Sequence, residues 1–392
     1  MVQYMQINHI CNINRIKNKN HIIIADGNGL CGGSGSSTQS ALFIQHPTDT
    51  NLIFLFAVPA FEDTGRACFS IIDKTINGGQ GGIYDDGTTY YKSIKFGPQI
   101  SSEKLTAVKH AQCNAYWVII HGLNENNFYA FKLDSSGLDT NAVISPAGFV
   151  HIRNFGQLKG SLDGKMLVSC YDPFGAPTPY IEIYDFDNST GVVNLRERFS
   201  LLGGGFTYGA SFSPNDSLFY AGTHKFDTCK IFQFKRYSDT ILNSKKLIAS
   251  LYCGIGPQTF RSMQLAPDGK IYICRSNTNY LAVINDPNKE GAACNFEENG
   301  IFINSGVLWG LPNFVDGEIF EDEVRFYSDK KTICIGDAIQ FTDGSLYSPT
   351  SWYWDFGNGF FSTERNPVHA YFSPGSHTVK LYVTFRCKTD SL

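Results

Sequence analysis

The chain has 392 residues, 14% aromatic residues, 38 glycines and a formal net charge of −4 at pH 7. This length accommodates two domains or one large all-β domain, and the weak charge excludes a basic nucleic-acid-binding surface and a long charged tail. The longest apolar run, 52–61, contains Pro59 and is too short to cross a bilayer. The 11 cysteines lack zinc-ligand spacing, and they fit either a few bridges in an exported protein or small core residues.

The first 20 residues are polar and lack the apolar stretch of a signal peptide. Residues 21–26 predict a short strand, and residues 27–37 predict a loop of glycine and serine. The loop contains Gly27-Asn-Gly-Leu-Cys-Gly32, which matches the Gly-x-Gly-x-x-Gly pattern of dinucleotide-binding folds. That pattern needs a helix N-terminus to hold the pyrophosphate. Because the sequence continues into a strand, we predict a loop between strands and no cofactor.

One sequence unit recurs along the chain. Its clearest copy, Leu265–Cys274, predicts a strand, a Pro-Asp-Gly turn and a second strand. Pro267 presets φ, and Gly269 supplies a positive φ that most residues resist. Equivalent turns follow one another at intervals of about 64, 51, 52 and 53 residues, a spacing typical of repeat arrays. The aligned turn positions are Thr48, Gln112, Asp163, Asn215 and Asp268.

The segments after each turn predict further strands of the same unit. Residues 127–133, 181–186, 230–235 and 280–284 occupy one equivalent position, and several alternate apolar and polar side chains as a strand does. A repeat of about 50 residues with four short strands is typical of a β-propeller blade. Five such blades extend over residues 37–305.

A ring of blades must close, so we expect the two ends of the propeller to meet. Residues 308–314 resemble the first strand of one more blade, and residues near 10–26 are placed to complete it, with its N-terminal side incomplete. The fold prediction is an all-β chain with a propeller over residues 1–315, of about six blades with seven also possible. Acidic residues 316–323 predict a linker to a second domain over residues 324–392.

The second domain carries three motifs in order, which begin at Trp352-Tyr-Trp-Asp, Asn366-Pro-Val-His and Ser373-Pro-Gly-Ser. They resemble the PKD domain, an immunoglobulin-like β-sandwich, whose C-terminal strand is truncated here. A tryptophan suits the core of a sandwich, and the glycines suit turns with positive φ. Cys334 and Cys387, near the two ends of this domain, are the best candidates for a disulfide. The motif residues are Trp354, Asp355, Gly357, Gly359, Asn366, Pro367, Tyr371, Pro374 and Gly375.

The first domain also has a family resemblance. Segments such as Lys104–His110, Tyr116–Gly122, Tyr184–Gly191 and Gly310–Phe314 are similar to the propeller of large surface proteins of Bacteroidota. Those proteins combine a signal peptide, this propeller, PKD domains and a gliding-motility-type sorting domain for type IX secretion. The resemblance implies export and a secreted or cell-surface location. Because this sequence shows neither a signal peptide nor a sorting domain, we expect a fragment.

Three weaker motifs have structural interpretations. Residues 185–188 lack the glycine and glutamate of an EF-hand loop and predict a turn capped by its own Asx residues. His110 and His121 flank a hairpin that contains Cys113, but no third metal ligand is visible, and we predict no metal. Residues 85–88 partly resemble the Asp-box of sialidase propellers, in a single copy that falls outside the blade period.

The resulting functional hypothesis is a non-enzymatic extracellular recognition, adhesion or structural protein. The propeller would be the binding platform and the PKD domain a spacer, with a polysaccharide or a surface protein as partner and with no nucleic acid, membrane span or catalytic residue. A ligand-free scaffold is a further possibility. The alternative from another class is a propeller hydrolase or lyase that acts on polysaccharide. It requires two or more carboxylates that converge at the mouth of the channel with shifted pKa values.

Overall fold

The structure is a computed structural model, and it describes residues 4–7, 14–32, 39–60, 65–152, 155–171, 179–201, 206–225, 227–253, 259–319, 324–345, 349–385 and 389–392. The chain divides into two compact units, Met1–Ile319 and Phe320–Leu392. The described helical segments are single turns, and none has the length and apolarity needed to cross a membrane. They are α1 (Ile76–Gly79) and the 3₁₀ turns Leu242–Ser244, Gly291–Cys294 and Asp316–Glu318.

Five sheets follow one another along the first unit, and in the last four the main strands are neighbours in chain order. This meander is the blade that the repeat predicts, and the prediction of an all-β propeller is confirmed. Sheet 2 contains β9 (Ser101–Lys109), β10 (Tyr116–Gly122), β11 (Asn127–Asp134), β12 (Gly137–Leu138) and β13 (Val143–Pro146). Sheet 3 contains β14 (Leu158–Gly160), β15 (Met166–Tyr171), β16 (Tyr180–Asp187) and β17 (Val192–Phe199). Sheet 4 contains β18 (Phe206–Phe212), β19 (Leu218–Lys225), β20 (Thr228–Lys235) and β21 (Lys246–Tyr252). Sheet 5 contains β22 (Phe260–Leu265), β23 (Ile271–Arg275), β24 (Tyr280–Ile284) and β25 (Phe296–Phe302).

Sheet 1 is larger because the N-terminal strands join its outer edge. A parallel bridge between Ala25 and Gly82 connects β3 to β7. Residues 14–28 therefore extend sheet 1, whereas we expected them to pair with residues 308–314, a segment that contains no strand. The strands of sheet 1 are β1 (Tyr4–Ile7), β2 (Asn14–Lys17), β3 (Ile23–Asn28), β4 (Ala41–Gln45), β5 (Leu52–Ala57), β6 (Ala67–Asp73), β7 (Gly82–Ile83) and β8 (Ile94–Phe96).

The core of the propeller lies between successive sheets, and β10 shows why. Alternate side chains of a strand point to opposite faces of its sheet. Val118 and Ile120 pack against sheet 1, while Trp117 and Ile119 pack against sheet 3. Since both faces are buried, the strand is a continuous apolar run, and each fully buried large side chain stabilises the fold by about 1.5–3 kcal/mol.

The first strands of successive sheets pack against one another around the axis, and polar side chains connect them there. Lys159 Nζ donates to Gln264 Oε1 at 2.6 Å and lies 3.2 Å from the Asp316 carboxylate. Gln264 Nε2 also donates to Asp316, at 2.8 Å. Gln157 Oε1 accepts the amide of Met263 at 2.8 Å, and Gln39 bonds both backbone groups of Leu158. We call Lys159, Gln264 and Asp316, which are all buried, the axial triad.

Residues 309–318 follow the inner strands from one end of the propeller to the other. Trp309 accepts the amide of Ser262 at the start of β22, and Glu318 pairs with Lys109 at the end of β9. This path places Asp316 inside the first unit, whereas we expected a linker from residue 316 onward. The contact-based boundary between the units falls after Ile319.

The second unit has two sheets around one apolar core. Trp354 is fully buried at its centre, in contact with Phe326 and Phe341. Leu381 and Val383, alternate residues of the last long strand, are also buried. One sheet contains β26 (Phe326–Ser328), β27 (Ala338–Asp343) and β30 (Val368–Ala370), and the other contains β29 (Phe361–Ser362), β28 (Ser351–Asp355), β31 (Lys380–Thr384) and β32 (Thr389–Ser391).

The axial triad yields a stability prediction. We expect Lys159→Ala to lower the free energy of unfolding by about 3–5 kcal/mol, because it leaves the buried Asp316 carboxylate without its cation. Lys109→Ala is the matched control, since it removes a lysine from the half-exposed pair with Glu318 and should cost about 1 kcal/mol or less. Denaturant titration of the full chain measures both values. Similar losses in the two variants would contradict this role of the triad.

Candidate functional site

The two ends of the propeller differ in what they carry. Because successive strands are antiparallel, the turns between first and second strands all lie at one end, which we call the turn end. The opposite end, the loop end, carries the connections between second and third strands and the connections between sheets. The turn end holds the repeated positions Asp163, Asn215 and Asp268.

At the loop end, three aromatic rings from separate elements stack between sheets 2 and 3. His121 lies at the end of β10, His151 lies in the connection to β14, and Tyr171 ends β15. The ring centroids of His121 and His151 are 4.0 Å apart, and those of His151 and Tyr171 are 4.4 Å apart. All three side chains are buried. We call this group the ring stack.

The hydrogen bonds of the ring stack assign its protons. His151 Nε2 lies 2.7 Å from Glu182 Oε2 and donates to this carboxylate, and His121 Nδ1 donates to the carbonyl of Gly122 at 2.6 Å. Burial lowers the pKa of both histidines well below 6.5, so they are neutral at pH 7. Because the stacked rings of His121 and His151 are nearly parallel, the lone pairs of their unprotonated nitrogens do not converge on one point. The stack is therefore a poor geometry for two ligands of one metal ion.

Charged groups border the ring stack on two sides. Glu182 also accepts the amide of Phe149, at 3.2 Å, and burial raises the pKa of this carboxyl. Lys104 Nζ is buried and donates to the carbonyls of Gly156 and Cys170, at 2.7 and 2.6 Å. Its positive charge further lowers the pKa of both histidines.

The ring stack supports an exposed group of residues. Phe149 is 47% exposed, Val150 50% and Ile152 56%, so three large apolar side chains face solvent within four residues. The guanidinium carbon of Arg198 lies 3.3 Å from the ring centroid of Phe149 and 3.4 Å from that of Tyr180. These five residues form what we call the loop-end patch.

A second arginine stacks on aromatic rings at the same end. The guanidinium carbon of Arg261, near the start of β22, lies 4.3 Å from the ring of Trp309 and 5.1 Å from the ring of Tyr208. Arginine on aromatic faces is a common feature of binding surfaces, since a flat cation and a π-system combine apolar contact with charge.

At the turn end, charged side chains join neighbouring sheets. Arg236 donates to both oxygens of Asp163, at 2.6 and 2.8 Å, and also pairs with Asp216. Asp216 in turn accepts the amides of Leu162 and Asp163, which belong to the turn of sheet 3. Asp163, one of the aligned repeat positions, therefore acts as a tie between sheets 3 and 4.

Two of the weaker motifs lie in capped turns. The Asp187 carboxylate accepts the amide of Ser189, and the Asp86 carboxylate accepts the amide of Thr88. The hydroxyls of Ser189 and Thr88 also donate to these carboxylates, and these hydroxyl bonds, together with the amide bonds, lower the pKa of each aspartate to about 2. Both motifs thus have the contacts of Asx turns.

The two candidate histidines of the hairpin lie at opposite ends of β10. His110 Nδ1 accepts the amide of Gln112, and its ring stacks on Trp117 at 5.2 Å. His121 belongs to the ring stack at the loop end, so the length of the strand separates the pair.

Disulfides connect strands at the loop end. Cys31 pairs with Cys68, with Cα atoms 6.4 Å apart, and Cys229 pairs with Cys253, with Cα atoms 5.9 Å apart. The glycine-rich motif 27–32 is thus fixed by a disulfide, while residues 33–38 lie outside the described part of the chain. The pairing of Cys334 with Cys387 stays a prediction, because Cys387 also lies outside the described part of the chain.

The motif residues of the second unit hold its turns and its core. Trp354 Nε1 donates to the carbonyl of Glu364 at 2.9 Å, and the Tyr371 hydroxyl donates to that of Phe356 at 2.9 Å. Asp355 Oδ1 accepts the amide of Gly357. The remaining motif residues contribute to turns and loops. Asn366 Oδ1 accepts the amide of Asp343, and the carbonyl of Pro367 accepts the amide of Phe341. Gly359 has φ +86, and Pro374 and Gly375 lie in the loop before β31.

Residues 324–391 match the PKD-domain family. The second unit contains a PKD domain. Its motif residues stabilise the sandwich through the contacts described above. The loop-end patch belongs to the propeller.

Comparison with curated protein sequences finds no match. Among solved structures, the chain is similar to hydrazine synthase of Kuenenia stuttgartiensis, with a TM-score of 0.46 and 14% identity over 79% of this chain and 86% of that chain. It is also similar to a Lactobacillus plantarum protein, with a TM-score of 0.45 and 11% identity over 97% and 98% of the two chains. A candidate 6-phosphogluconolactonase of Bacteroides uniformis has a TM-score of 0.45 and 12% identity over 92% of both chains. At these identities the similarity concerns the fold alone.

Sequence reasoning missed the ring stack and the loop-end patch, although one signal was present. In the apolar strand 180–186, Glu182 is a charged residue flanked by isoleucines. A charge at a buried strand position needs a partner, so Glu182 indicates a buried polar cluster around it. The positions of Arg198 and Phe149 carry no such local signal.

The ring stack predicts a loss of stability in acid. The native pKa of His121 and His151 lies below the unfolded value of 6.5, so the unfolded state binds more protons as pH falls below about 6.5. Each histidine should then lower the free energy of unfolding by up to about 1.4 kcal/mol per pH unit. Lys104 and Arg198 lower the native pKa of His151 further and so extend this loss to lower pH, whereas Glu182, with its raised pKa, opposes it.

The test compares denaturant titrations of wild type and His121→Phe between pH 7 and pH 5. The variant keeps a ring in the stack but removes one titrating group, so its slope with pH should be smaller. His46→Gln is the control, since His46 lies in a turn where its Nδ1 accepts backbone amides. An unchanged slope in His121→Phe would contradict the assignment.

The PKD domain allows a matched glycine test. Gly357 has φ +71, and a Cβ there would lie 2.3 Å from the carbonyl oxygen of Thr378. Gly359 has φ +86, and a Cβ there would meet no neighbouring atom within 4 Å. We expect Gly359→Ala to cost about 1–2 kcal/mol from backbone strain alone, and Gly357→Ala to cost at least about 2 kcal/mol more. Calorimetry of the full chain measures both, and equal costs would show that the close approach is unimportant.

Proposed function

We propose that this chain is a non-enzymatic recognition protein of the bacterial cell surface or exterior. The propeller binds a polysaccharide or a surface protein through its loop end, and the PKD domain is a spacer or interaction module. The loop-end patch carries the proposal. Exposed aromatic and apolar side chains around a stacked arginine are the composition of interface hot spots.

The location is part of the same proposal. The disulfides Cys31–Cys68 and Cys229–Cys253 support an oxidising compartment, since such bonds are rare in the bacterial cytosol. A PKD domain is compatible with an extracellular protein, and the resemblance to surface proteins of Bacteroidota supports export by the type IX route. Fractionation of native cells tests this point. Recovery of the protein only from the cytoplasm, with reduced cysteines, would overturn it.

A propeller hydrolase or lyase is the second candidate, because one feature favours it. Glu182 is a buried carboxyl of raised pKa beside His151, the kind of pair that general acid–base catalysis uses. Burial also raises the pKa of Asp216, to about 7, but this carboxyl lies at the turn end and is held by Arg236. Recognition is favoured because both oxygens of Glu182 are already engaged, by His151 and by the amide of Phe149.

The test of recognition is binding of the purified full chain to a broad glycan array. We expect retention of specific polysaccharides and at least about tenfold weaker binding by Ile152→Ser, since a buried aliphatic contact contributes about 1.5–3 kcal/mol. Ile144→Ser is the matched control, because Ile144 is 54% exposed but lies on β13 outside the patch. Equal effects of both substitutions would exclude the patch, and shortening of the bound glycans during incubation would favour the enzyme.

A further inference from the structure

The guanidinium of Arg198 stacks on two aromatic rings. Its central carbon lies over the ring of Phe149, 3.3 Å from the centroid, and over the ring of Tyr180, 3.4 Å from the centroid. Two such contacts shield the cation from water and restrict its motion. They leave the hydrogen-bonding edge of the fork as the part that can bind another molecule.

That edge has no partner within the described part of the chain. Arg198 makes no hydrogen bond or ion pair there, and its Nε is buried without an acceptor. A guanidinium carries five N–H donors, and buried donors without partners are costly. The remaining N–H donors of Arg198, which also have no partner among the described residues, can receive an acceptor from outside.

The neighbouring carboxylates are committed to other groups. Glu182, opposite Arg198 in the pairing of β16 and β17, bonds His151 and the amide of Phe149. Glu197 accepts the amides of Ile241 and Leu242, at 2.7 and 3.1 Å. Arg198 thus keeps a positive charge without direct pairing, beside two neutral histidines and the buried cation Lys104.

We propose that Arg198 is the anchor for an anionic group of an acidic polysaccharide. The carboxylate of a uronic acid or a sulfate ester accepts two parallel hydrogen bonds from the edge of the fork, and the adjacent sugar rings pack on Phe149, Val150 and Ile152. The geometry fits these groups because planar, bidentate pairing with arginine selects oxyanions. This assignment rests on the proposed function and names the ligand class of the same patch.

The acidic polysaccharide accounts for the apolar residues as well as for the charge. A free phosphate or a small carboxylic acid would use Arg198 and leave the exposed side chains of Val150 and Ile152 unburied. Sugars present apolar C–H faces next to their charged substituents. One ligand class therefore covers both halves of the loop-end patch.

The experiment measures binding of the full chain to four oligosaccharides by calorimetry. They are a polyuronate, the same polyuronate after reduction of its carboxyl groups to alcohols, a sulfated galactan and the desulfated galactan. We expect at least one acidic member to bind at least about tenfold more tightly than its neutral counterpart, with an affinity that falls as salt rises. The pairs of ligands distinguish carboxylate from sulfate as the recognised group.

Protein variants locate the anchor. Arg198→Ala should remove the preference for the acidic ligand, and Arg198→Lys should restore it only partly, because lysine keeps the charge but lacks the planar fork. Arg196→Ala is the matched control. Arg196 lies on the same strand, is exposed and already pairs with Asp185, so its loss should leave binding unchanged. Circular dichroism verifies that each variant keeps its fold.

The outcomes separate this inference from the proposed function. Acid-selective binding that depends on Arg198 and not on Arg196 supports both. Binding of polysaccharide with equal affinity for acidic and neutral forms, or with no effect of Arg198→Ala, overturns the anchor while recognition stands. Absence of binding to all four oligosaccharides and to the broad array overturns polysaccharide recognition and the anchor together.

Discussion

Placing a lysine at the axis of a propeller requires that its charge be matched there, since desolvation of an unpaired ammonium costs several kcal/mol. Lys159, Gln264 and Asp316 satisfy one another at 2.6–3.2 Å. They come from sheet 3, sheet 5 and the segment that follows sheet 5. The triad therefore forms only when distant parts of the chain have reached their final places. Apolar packing between sheets is tolerant of small shifts, whereas this polar contact fixes which strands face one another across the axis.

The two ends of the propeller carry different contacts. At the turn end, Arg236 bonds the aspartates of two successive turns, and Asp163 in the repeat thereby serves the ring itself. At the loop end, the connection between sheets 2 and 3 exposes Phe149, Val150 and Ile152 to solvent. Loops on a rigid scaffold are where proteins place binding residues. The three apolar residues of the loop-end patch lie on such a connection, between β13 and β14.

The sequence predicted the elements whose signals are local. Residues 127–133 alternate as a strand should, and β11 (Asn127–Asp134) occupies them. Trp354 was expected in the core of a sandwich and is fully buried there. The contacts that could not be predicted join residues far apart in the chain. The bridge of Ala25 to Gly82 and the meeting of His121, His151 and Glu182 have no periodic or motif signature. Composition constrains such contacts weakly, because many pairings would bury the same side chains.

The ring stack and the loop-end patch are two sides of one segment. Within residues 149–152, the side chain of His151 is fully buried while its neighbours are exposed. The backbone is held at both ends, since the amide of Phe149 donates to Glu182 and the amide of Ile152 donates to the Tyr171 hydroxyl at 3.2 Å. A neutral His151 is essential to this arrangement, because a cation would stand beside Lys104 and Arg198. The buried histidine thus fixes the conformation of an exposed apolar segment. A surface ordered before it meets its partner loses less conformational entropy on binding, which is the physical advantage of building a recognition patch on a buried stack.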